Sequence, residues 1–167
     1  VMYEIFVADN GNKEARVTGR TYYTTVVALP DAINGIPVTE IGDHALPLAS
    51  PLDEGGDIEL IIRRLPAQLK KVGEYGLATE QFEPHITLPE TLKELGDGAL
   101  LSSVGAEQNI VIPKNIEVIG KSVFEGREFP NGLVIPETVK FVGENAFYGA
   151  KTTRLVIPNT IDTIAKD

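Results

Sequence analysis

The sequence predicts a β-rich α/β solenoid, a right-handed coil of short repeats with a parallel sheet on one face. Two observations lead to this fold class. Prolines recur at nearly constant spacing, 22 to 24 residues apart after a longer first interval, and apolar residues keep fixed offsets from each proline. Periods of this length identify stacked repeats, because no single copy can bury its own apolar side. The repeat prolines are Pro30, Pro66, Pro89, Pro113, Pro136 and Pro158.

The residues before each proline predict a short strand. Positions one and three before the proline are apolar, as in Leu133 and Ile135, and would carry two core-facing side chains. Proline ends the strand because it has no N–H and fixes φ. Since parallel strands in one sheet are joined by right-handed crossovers, we expect the pre-proline strands to form the parallel sheet.

The residues after each proline turn the chain inward and back. Positions three and six are Leu, Ile or Val in the well-aligned copies, and position seven is glycine, as in Gly120. This glycine provides either a special φ or a close approach that a side chain would obstruct. A small-then-large pair such as Ala146-Phe147 follows. We expect this pair to begin a short helical or 3₁₀ turn on the opposite face, with the large side chain filling the core.

The chain is predicted to be a single domain with two parts. Residues 1–29 lack the repeat, and two alternating runs around Asn10-Gly11 predict an N-terminal β-hairpin cap. Residues 30–167 hold about six repeats of roughly 23 residues. The last copy is truncated at Asp167, so we expect the array to be the N-terminal piece of a longer one.

Composition narrows the class of partner. A net charge of −9, from 24 acidic and 15 basic residues, argues against nucleic acid, whose binding depends on clustered Lys and Arg. No apolar run exceeds four residues, far fewer than a membrane helix needs, and the first residues do not resemble a signal peptide. Cysteine is absent, which excludes disulfides and thiolate metal sites. We expect a monomer that does not insert into membranes.

An enzyme would need a cluster of polar residues, and the sequence does not indicate one. His44 and His85 lie in different copies, and the serines stand in no nucleophile-elbow context. The stretch 9–12 lacks the spaced acidic ligands and the distal Glu of a calcium loop. We therefore predict that the protein is not an enzyme and holds no metal or cofactor.

Stacked repeats place equivalent positions in rows, and a binding surface is predicted along them. The residue two positions before each proline faces solvent, and three consecutive valines in this row could form an apolar docking stripe. The alternative is that β-branched residues simply suit strand ladders. The sequence leaves open whether the loop residues Phe82 and Phe129 pack beneath their loops or project into solvent as contacts. The predicted ligand-facing residues are Arg64, Thr87, Val111, Val134, Val156, His85, Asn109 and Arg154.

The repeat resembles that of the BspA-like (treponemal-type) leucine-rich repeat family, which runs roughly LxxIxIPxxVxxIGxxAFxxC. The segment LVIPETVKFVGENAFYGA (133–150) matches nearly position for position, and INGIPVTEIGDHAL (33–46) resembles the family's opening unit. The resemblance extends from about residue 3 to 167. Ala150 stands where the family often has Cys, and Leu replaces Phe in the first three copies. The resemblance implies a horseshoe-like leucine-rich repeat solenoid.

The same resemblance implies a function. Proteins of this family are typically surface-exposed or secreted proteins of host-associated bacteria and protozoa, implicated in adhesion or protein binding. We therefore expect a non-catalytic interaction or adhesion module, extracellular or on a bacterial cell surface, with a protein partner that could be a host extracellular protein. The alternatives are a structural spacer array and a carbohydrate-binding module. The latter is disfavoured because the chain has no Trp and no Tyr in the strand rows.

Overall fold

Short strands stack along one axis in the computed structural model. It describes residues 1–19, 26–46, 61–78, 81–82, 87–101, 110–161 and 163–164. Within these ranges sixteen strands are found. In chain order they are β1 (Met2–Val7), β2 (Lys13–Gly19), β3 (Val26–Ala28), β4 (Ala32–Ile33), β5 (Ile36–Ile41), β6 (Ile61–Arg64), β7 (Lys71–Val72), β8 (Gln81–Phe82), β9 (Glu94–Leu95), β10 (Val118–Ile119), β11 (Glu128–Phe129), β12 (Leu133–Val134), β13 (Phe141–Val142), β14 (Lys151–Thr152), β15 (Leu155–Val156) and β16 (Thr163–Ile164).

The longest sheet runs along nearly the whole array. Its order is β1-β2-β5-β7-β9-β10-β13-β16, with β4 paired beside β5. The strands from β5 onward pair in parallel, and those from β7 onward contain the residues five and six positions after the proline. The second residue of these pairs is buried wherever its side chain is described, as in Leu95 and Ile119. The result is a β-solenoid of about five turns.

The position of this sheet corrects the sequence prediction. The continuous parallel ladder comes after the proline. Within the described residues three shorter sheets are also present, β3-β6-β8, β11-β14 and β12-β15, and strands directly before the proline pair with one another only as β3-β6 and β12-β15. Residues 110–112 belong to none of these sheets. The segment after the proline lies at a fixed distance from the repeat glycine, so its register is the same in every copy. The segment before the proline follows a loop of variable length, and its pairing therefore varies.

The predicted helical or 3₁₀ face is wrong, because the described residues contain no helix. The small-large pair lies in a tight turn instead. The residue directly before the pair has a φ between 48° and 60° in five copies. A left-handed residue at this point interrupts a right-handed helix and sends the chain back toward the next strand. These residues are His44, Tyr75, Gly98, Ser122 and Asn145.

The repeat glycines stack on one another, and the contact explains why they are glycines. A Cβ added to Gly120 would lie 2.6 Å from the carbonyl carbon of Gly96 and 2.7 Å from the nitrogen of Asp97. A Cβ added to Gly143 would lie 2.6 Å from the carbonyl carbon of Gly120. Neither glycine has a positive φ. Of the two explanations that the sequence allowed, the close approach is therefore correct.

A single apolar core runs through the stack. The large member of the small-large pair is fully buried in four copies, as Leu46, Leu77, Leu100 and Phe124, and Phe147 is partly buried. Leu155 and Ile157, predicted to face the core, are instead 52% and 50% exposed. Their counterparts Leu133 and Ile135 are covered because β15 packs beside β12. No described strand lies on the far side of β15 in that sheet.

Polar side chains two positions after the prolines link neighbouring copies. The hydroxyl of Thr138 donates to the carbonyl oxygen of Ile116 at 2.7 Å. Thr91 makes the equivalent bond to the carbonyl oxygen of Leu69 in the preceding copy, also at 2.7 Å. Thr160 and Asn115 donate instead to the residue directly after the preceding repeat proline, Glu137 and Glu90, each at 2.8 Å. The bonds to Leu69 and Ile116 are part-buried and those to Glu90 and Glu137 are exposed, so these side chains add main-chain contacts between copies beside the short strands.

The N-terminal hairpin carries a buried carboxylate against the first copies. β1 and β2 are antiparallel, and β2 pairs in parallel with β5. Glu14 of β2 is only 4% exposed. It accepts a hydrogen bond from Thr39 Oγ1 at 2.6 Å and a second one from Lys70 Nζ. Burial alone raises the pKa of Glu14, but these two hydrogen bonds and the charge of Lys70 outweigh it, so the pKa lies below its ordinary value.

The lowered pKa predicts acid-sensitive stability. A carboxyl whose pKa is lower in the folded chain stabilises the fold above the unfolded-state pKa, about 4.3 for Glu, and loses this contribution as the pH falls through the folded-state value. We expect Glu14→Gln to lower the free energy of unfolding by about 1–2 kcal/mol at neutral pH and to flatten its decline in acid. Urea denaturation at a series of pH values measures both.

The matched control is Glu128→Gln, which removes an exposed carboxylate paired with Lys151 at 2.7 Å. Exposed ion pairs contribute little, so we expect a change of less than about 1 kcal/mol at neutral pH. If Glu14→Gln and the unsubstituted chain lost stability in parallel between pH 5 and the acid limit, the role assigned to Glu14 would be wrong.

Candidate interaction surface

The row two positions before the prolines faces solvent along most of its length. Arg64, Thr87, Val111 and Val134 are exposed, and Val156 is partly buried. Arg154, predicted in the neighbouring row, is also exposed. His85 and Asn109 lie outside the described residues.

The structure brings two of these residues together in one groove. Val111 and Val134 are 67% and 54% exposed and lie on adjacent copies, lining a groove of about 570 Å³. Val156 is the register partner of Val134 in the next copy but does not line the groove. Arg64 belongs to another sheet, where its Nη1 pairs with Asp31 at 2.8 Å. Among the described residues of the predicted row, only Val111 and Val134 line this groove.

The walls of the groove are mostly apolar. Beneath the two exposed valines lie side chains that belong to the core, all at most 7% exposed. These are Ile110, Ile112, Phe129 and Leu133. Pro136 and a few polar residues complete the lining. Such a groove favours an apolar ligand with few polar contacts.

One edge of β12 is open toward the groove. The amides of Leu133 and Ile135 donate to the carbonyl oxygens of Arg154 and Val156 at 2.7 and 3.0 Å. Because successive residues of a strand point their polar groups to opposite sides, the N–H and C=O of Val134 face residues 110–112. Among the described residues no hydrogen bond joins 110–112 to β12. Val134 thus presents main-chain hydrogen-bonding groups at the groove.

Phe129 fills the space beneath this opening. It is 2% exposed. The ring of Phe129 therefore packs inward and does not project into solvent, a choice that the sequence left open. Its ring meets Phe124 edge-on, with centroids 5.9 Å apart, and tilts against Phe147 at 6.3 Å. The chain then turns through Gly132, whose φ is 92° and whose N–H donates to Phe129 at 3.0 Å. The side chain of Phe82 lies outside the described part of the chain.

Charges are distributed differently on the two faces. On the long sheet and beside it they occur in pairs, such as Lys71 with Glu94 at 2.7 Å and Lys140 with Glu117 at 2.6 Å. At the groove, the lining includes Lys114 and Glu137, each of which directly follows a repeat proline. Neither side chain makes a salt bridge within the described residues. The groove therefore combines an apolar floor with two charges of opposite sign that a ligand can contact.

A buried cation lies below the same loop. Arg127 is 4% exposed, and its Nη2 donates to the carbonyl oxygen of Leu100 at 2.5 Å. Burial lowers the pKa of Arg127 to about 10, which leaves it charged at neutral pH. The bond ties the turn that carries Phe129 to the preceding copy.

The described residues offer no catalytic arrangement. The ring of His44 stacks on Tyr75 with centroids 5.4 Å apart and makes no hydrogen bond to a Ser or a carboxylate in the described part of the chain. No group of three His, Asp or Glu that could hold a metal ion occurs among these residues. The described residues also include no helix long and apolar enough to cross a membrane.

The repeat pattern and the stacked turns agree with a known family. The model of the BspA type leucine-rich repeat region matches residues 58–167, in six copies. The chain belongs to the BspA-type leucine-rich repeat family. No curated protein sequence matches this BspA-type chain.

A solved structure confirms the fold of this BspA-type array. The leucine-rich repeat protein of T. pallidum is 22% identical, with a TM-score of 0.63, over 93% of this chain and 69% of that one. A leucine-rich repeat protein of Bacteroides ovatus is 16% identical, with a TM-score of 0.30, over 96% of this chain and 58% of that one. The first likeness shows the leucine-rich repeat fold.

Proposed function

We propose that the protein is a non-catalytic protein-interaction module of an adhesive kind, carried on a bacterial cell surface or secreted. Membership of the BspA-type family supports an interaction module and an exposed location. The observation that carries the proposal is the groove between Val111 and Val134. Apolar side chains exposed in the interior of a repeat array, above a well-packed core, are typical of a contact surface.

The occupant that fits the groove is an extended polypeptide segment with apolar side chains. Such a segment would place its side chains on the two valines and could hydrogen-bond to the main chain of Val134, as peptides do when they add to an open strand edge. Lys114 and Glu137 would meet charges beside the apolar stretch. A carbohydrate is less suitable, because sugar sites use planar aromatic rows and the residues that line the groove include a single, buried aromatic, Phe129.

A library of displayed random peptides, selected on the purified folded chain, tests this proposal. We expect the selected peptides to contain alternating apolar residues and to lose at least about tenfold in affinity for Val134→Asp, because a carboxylate forced against an apolar peptide costs more than about 1.4 kcal/mol. Val7→Asp is the matched control. Val7 is 67% exposed on β1, as Val111 is in the groove.

Binding of immobilised extracellular proteins to the same variants tests the adhesive role. We expect Val134→Asp to weaken it and Val7→Asp to leave it unchanged. If every selected peptide and every extracellular protein bound the Val134→Asp chain as well as the unsubstituted one, the groove would not be the contact surface. A chain that bound none of them would be better described as a spacer array.

A further inference from the structure

Three Asn-Gly pairs occur at turns of the described chain and offer the same local chemistry in different surroundings. They are Asn10-Gly11, Asn34-Gly35 and Asn131-Gly132. Asparagine followed by glycine can lose its side-chain amide spontaneously, because the unhindered glycine nitrogen can attack the asparagine Cγ. The reaction requires that nitrogen to be available and the turn to have room for a five-membered ring.

The backbone N–H groups of two of the three glycines donate hydrogen bonds within the chain. The N–H of Gly11 donates to the carbonyl oxygen of Ala8 at 2.8 Å, and that of Gly132 donates to Phe129 at 3.0 Å. Asn10 is held further, since its Oδ1 accepts a hydrogen bond from the amide of Asn12 at 3.0 Å. Attack by either nitrogen must first break a main-chain hydrogen bond.

Asn34-Gly35 differs on each of these points. The pair forms the two-residue turn between β4 and β5, with φ values of 52° and 77°, as in a hairpin turn of type I′. No hydrogen bond from the N–H of Gly35 is found among the described residues. A Cβ added to Gly35 would meet no atom within 4 Å, so this turn has room for the ring; the same is true of Gly11, whose nitrogen is hydrogen-bonded, but not of Gly132. Within the described residues the side chain of Asn34 makes a single hydrogen bond, a long one of 3.4 Å from Nδ2 to the hydroxyl of Tyr3.

We propose that Asn34 is a site of spontaneous deamidation in the folded protein and reacts faster than the other two pairs. The nitrogen of Gly35 loses its proton to solvent base and bonds to Cγ of Asn34, the Cγ–Nδ2 bond breaks, and ammonia leaves. Water then opens the cyclic imide at one of its two C–N bonds, which gives aspartate or isoaspartate. The net change is the gain of one water and the loss of one ammonia, without oxidation or reduction.

The modification changes charge and register at the first copy. Either product adds one negative charge beside Tyr3. Isoaspartate also lengthens the main chain by one methylene within the turn that aligns Ile33 with Ile36, so the pairing of β4 with β5 cannot persist unchanged. The affected strand, β5, is the one on which the N-terminal hairpin packs.

The test is a time course of the folded chain in mildly alkaline buffer, with each Asn-Gly peptide quantified by mass spectrometry after digestion. We expect Asn34 to convert at least about fivefold faster than Asn10 or Asn131, the ratio that corresponds to one net hydrogen bond of about 1 kcal/mol. The Asn34→Asp variant marks the position of the aspartate product in ion-exchange chromatography.

The same time course in denaturant supplies the control, because there the three rates should converge. Equal conversion of Asn34 and either other asparagine in the folded chain would overturn the proposal. So would a ranking that persisted unchanged in denaturant, or a folded chain that showed no conversion at Asn34 while the denatured chain converted.

Discussion

We expect Phe124→Ala to lower the free energy of unfolding by about 3–5 kcal/mol, the usual cost of truncating a buried Phe. Phe124 is the largest fully buried side chain among the described residues. Its ring stacks on Phe147, with centroids 5.4 Å apart and planes 14° from parallel, and meets Phe129 edge-on. Each such ring pair adds about 0.5–1.5 kcal/mol beyond the area that it buries. The loss of all these contacts puts the change in the upper part of the range.

Two further variants separate loss of packing from a general surface effect. Phe124→Leu installs the residue that copies one to three already carry at this position, as in Leu100, so it should cost less than about 1.5 kcal/mol. Tyr148→Ala removes a largely exposed ring and should change stability by no more than about 0.5 kcal/mol. Urea denaturation of the three variants gives the comparison. A Phe124→Ala chain no less stable than Tyr148→Ala would show that this ring does not organise the core.

Gly120→Ala should cost about 2 kcal/mol although it adds a single methyl group. The new Cβ would collide with backbone atoms of Gly96 and Asp97, and backbone cannot rotate away as a side chain can. Overpacking of this kind costs up to about 3 kcal/mol. Alanine also reduces the conformational entropy of the unfolded chain, which stabilises the folded state by up to about 1 kcal/mol. Thermal or urea denaturation measures the balance.

Gly19→Ala is the matched control for this variant. The nearest atom to a Cβ at Gly19 is the terminal methyl carbon of Met2, the end of an exposed, flexible side chain that can move aside. Gly19 also lacks a positive φ, so alanine there should be neutral or stabilise the fold by up to about 1 kcal/mol. Equal losses for Gly120→Ala and Gly19→Ala would mean that glycine stacking does not hold the copies together.

The periodicity of the sequence predicted the array and most of its core. Residues such as Ile116 and Ile119, three and six positions after their proline, are fully buried as their spacing indicated. What spacing did not reveal was which segment pairs with its neighbours. The segments on both sides of the proline bury apolar residues, and burial alone does not distinguish a hydrogen-bonded strand from an unpaired one. The segment directly before the stacked glycine keeps one register from copy to copy and pairs throughout, whereas the segment before the proline follows loops of variable length.

The turn before the small-large pair and the groove at Val111 and Val134 depend on features that do not recur regularly in the sequence. Left-handed φ values occur at Gly98 and Asn145, residue types that favour them, but also at Tyr75 and Ser122, which rarely adopt them. The residue type at this position therefore did not indicate in every copy the turn that replaced the predicted helix. The groove depends on where Phe129, a residue of β11 outside the repeat pattern, inserts its ring. The signal that could have indicated it was a large aromatic in an otherwise polar loop, next to two consecutive copies with valine in the same row.

The stacked glycines also bear on how such an array changes length over evolution. Gly96, Gly120 and Gly143 each rest on the backbone of the glycine turn before them. Suppose that one whole copy, from one repeat glycine to the next, were deleted. The copies on either side of the deletion would then contact each other through the same pair of glycine turns as before. Gain or loss of part of a copy would instead bring a side chain into the column. Recombination in whole copies therefore preserves the interface between turns, and the exposed surface can be extended or shortened without redesigning the core.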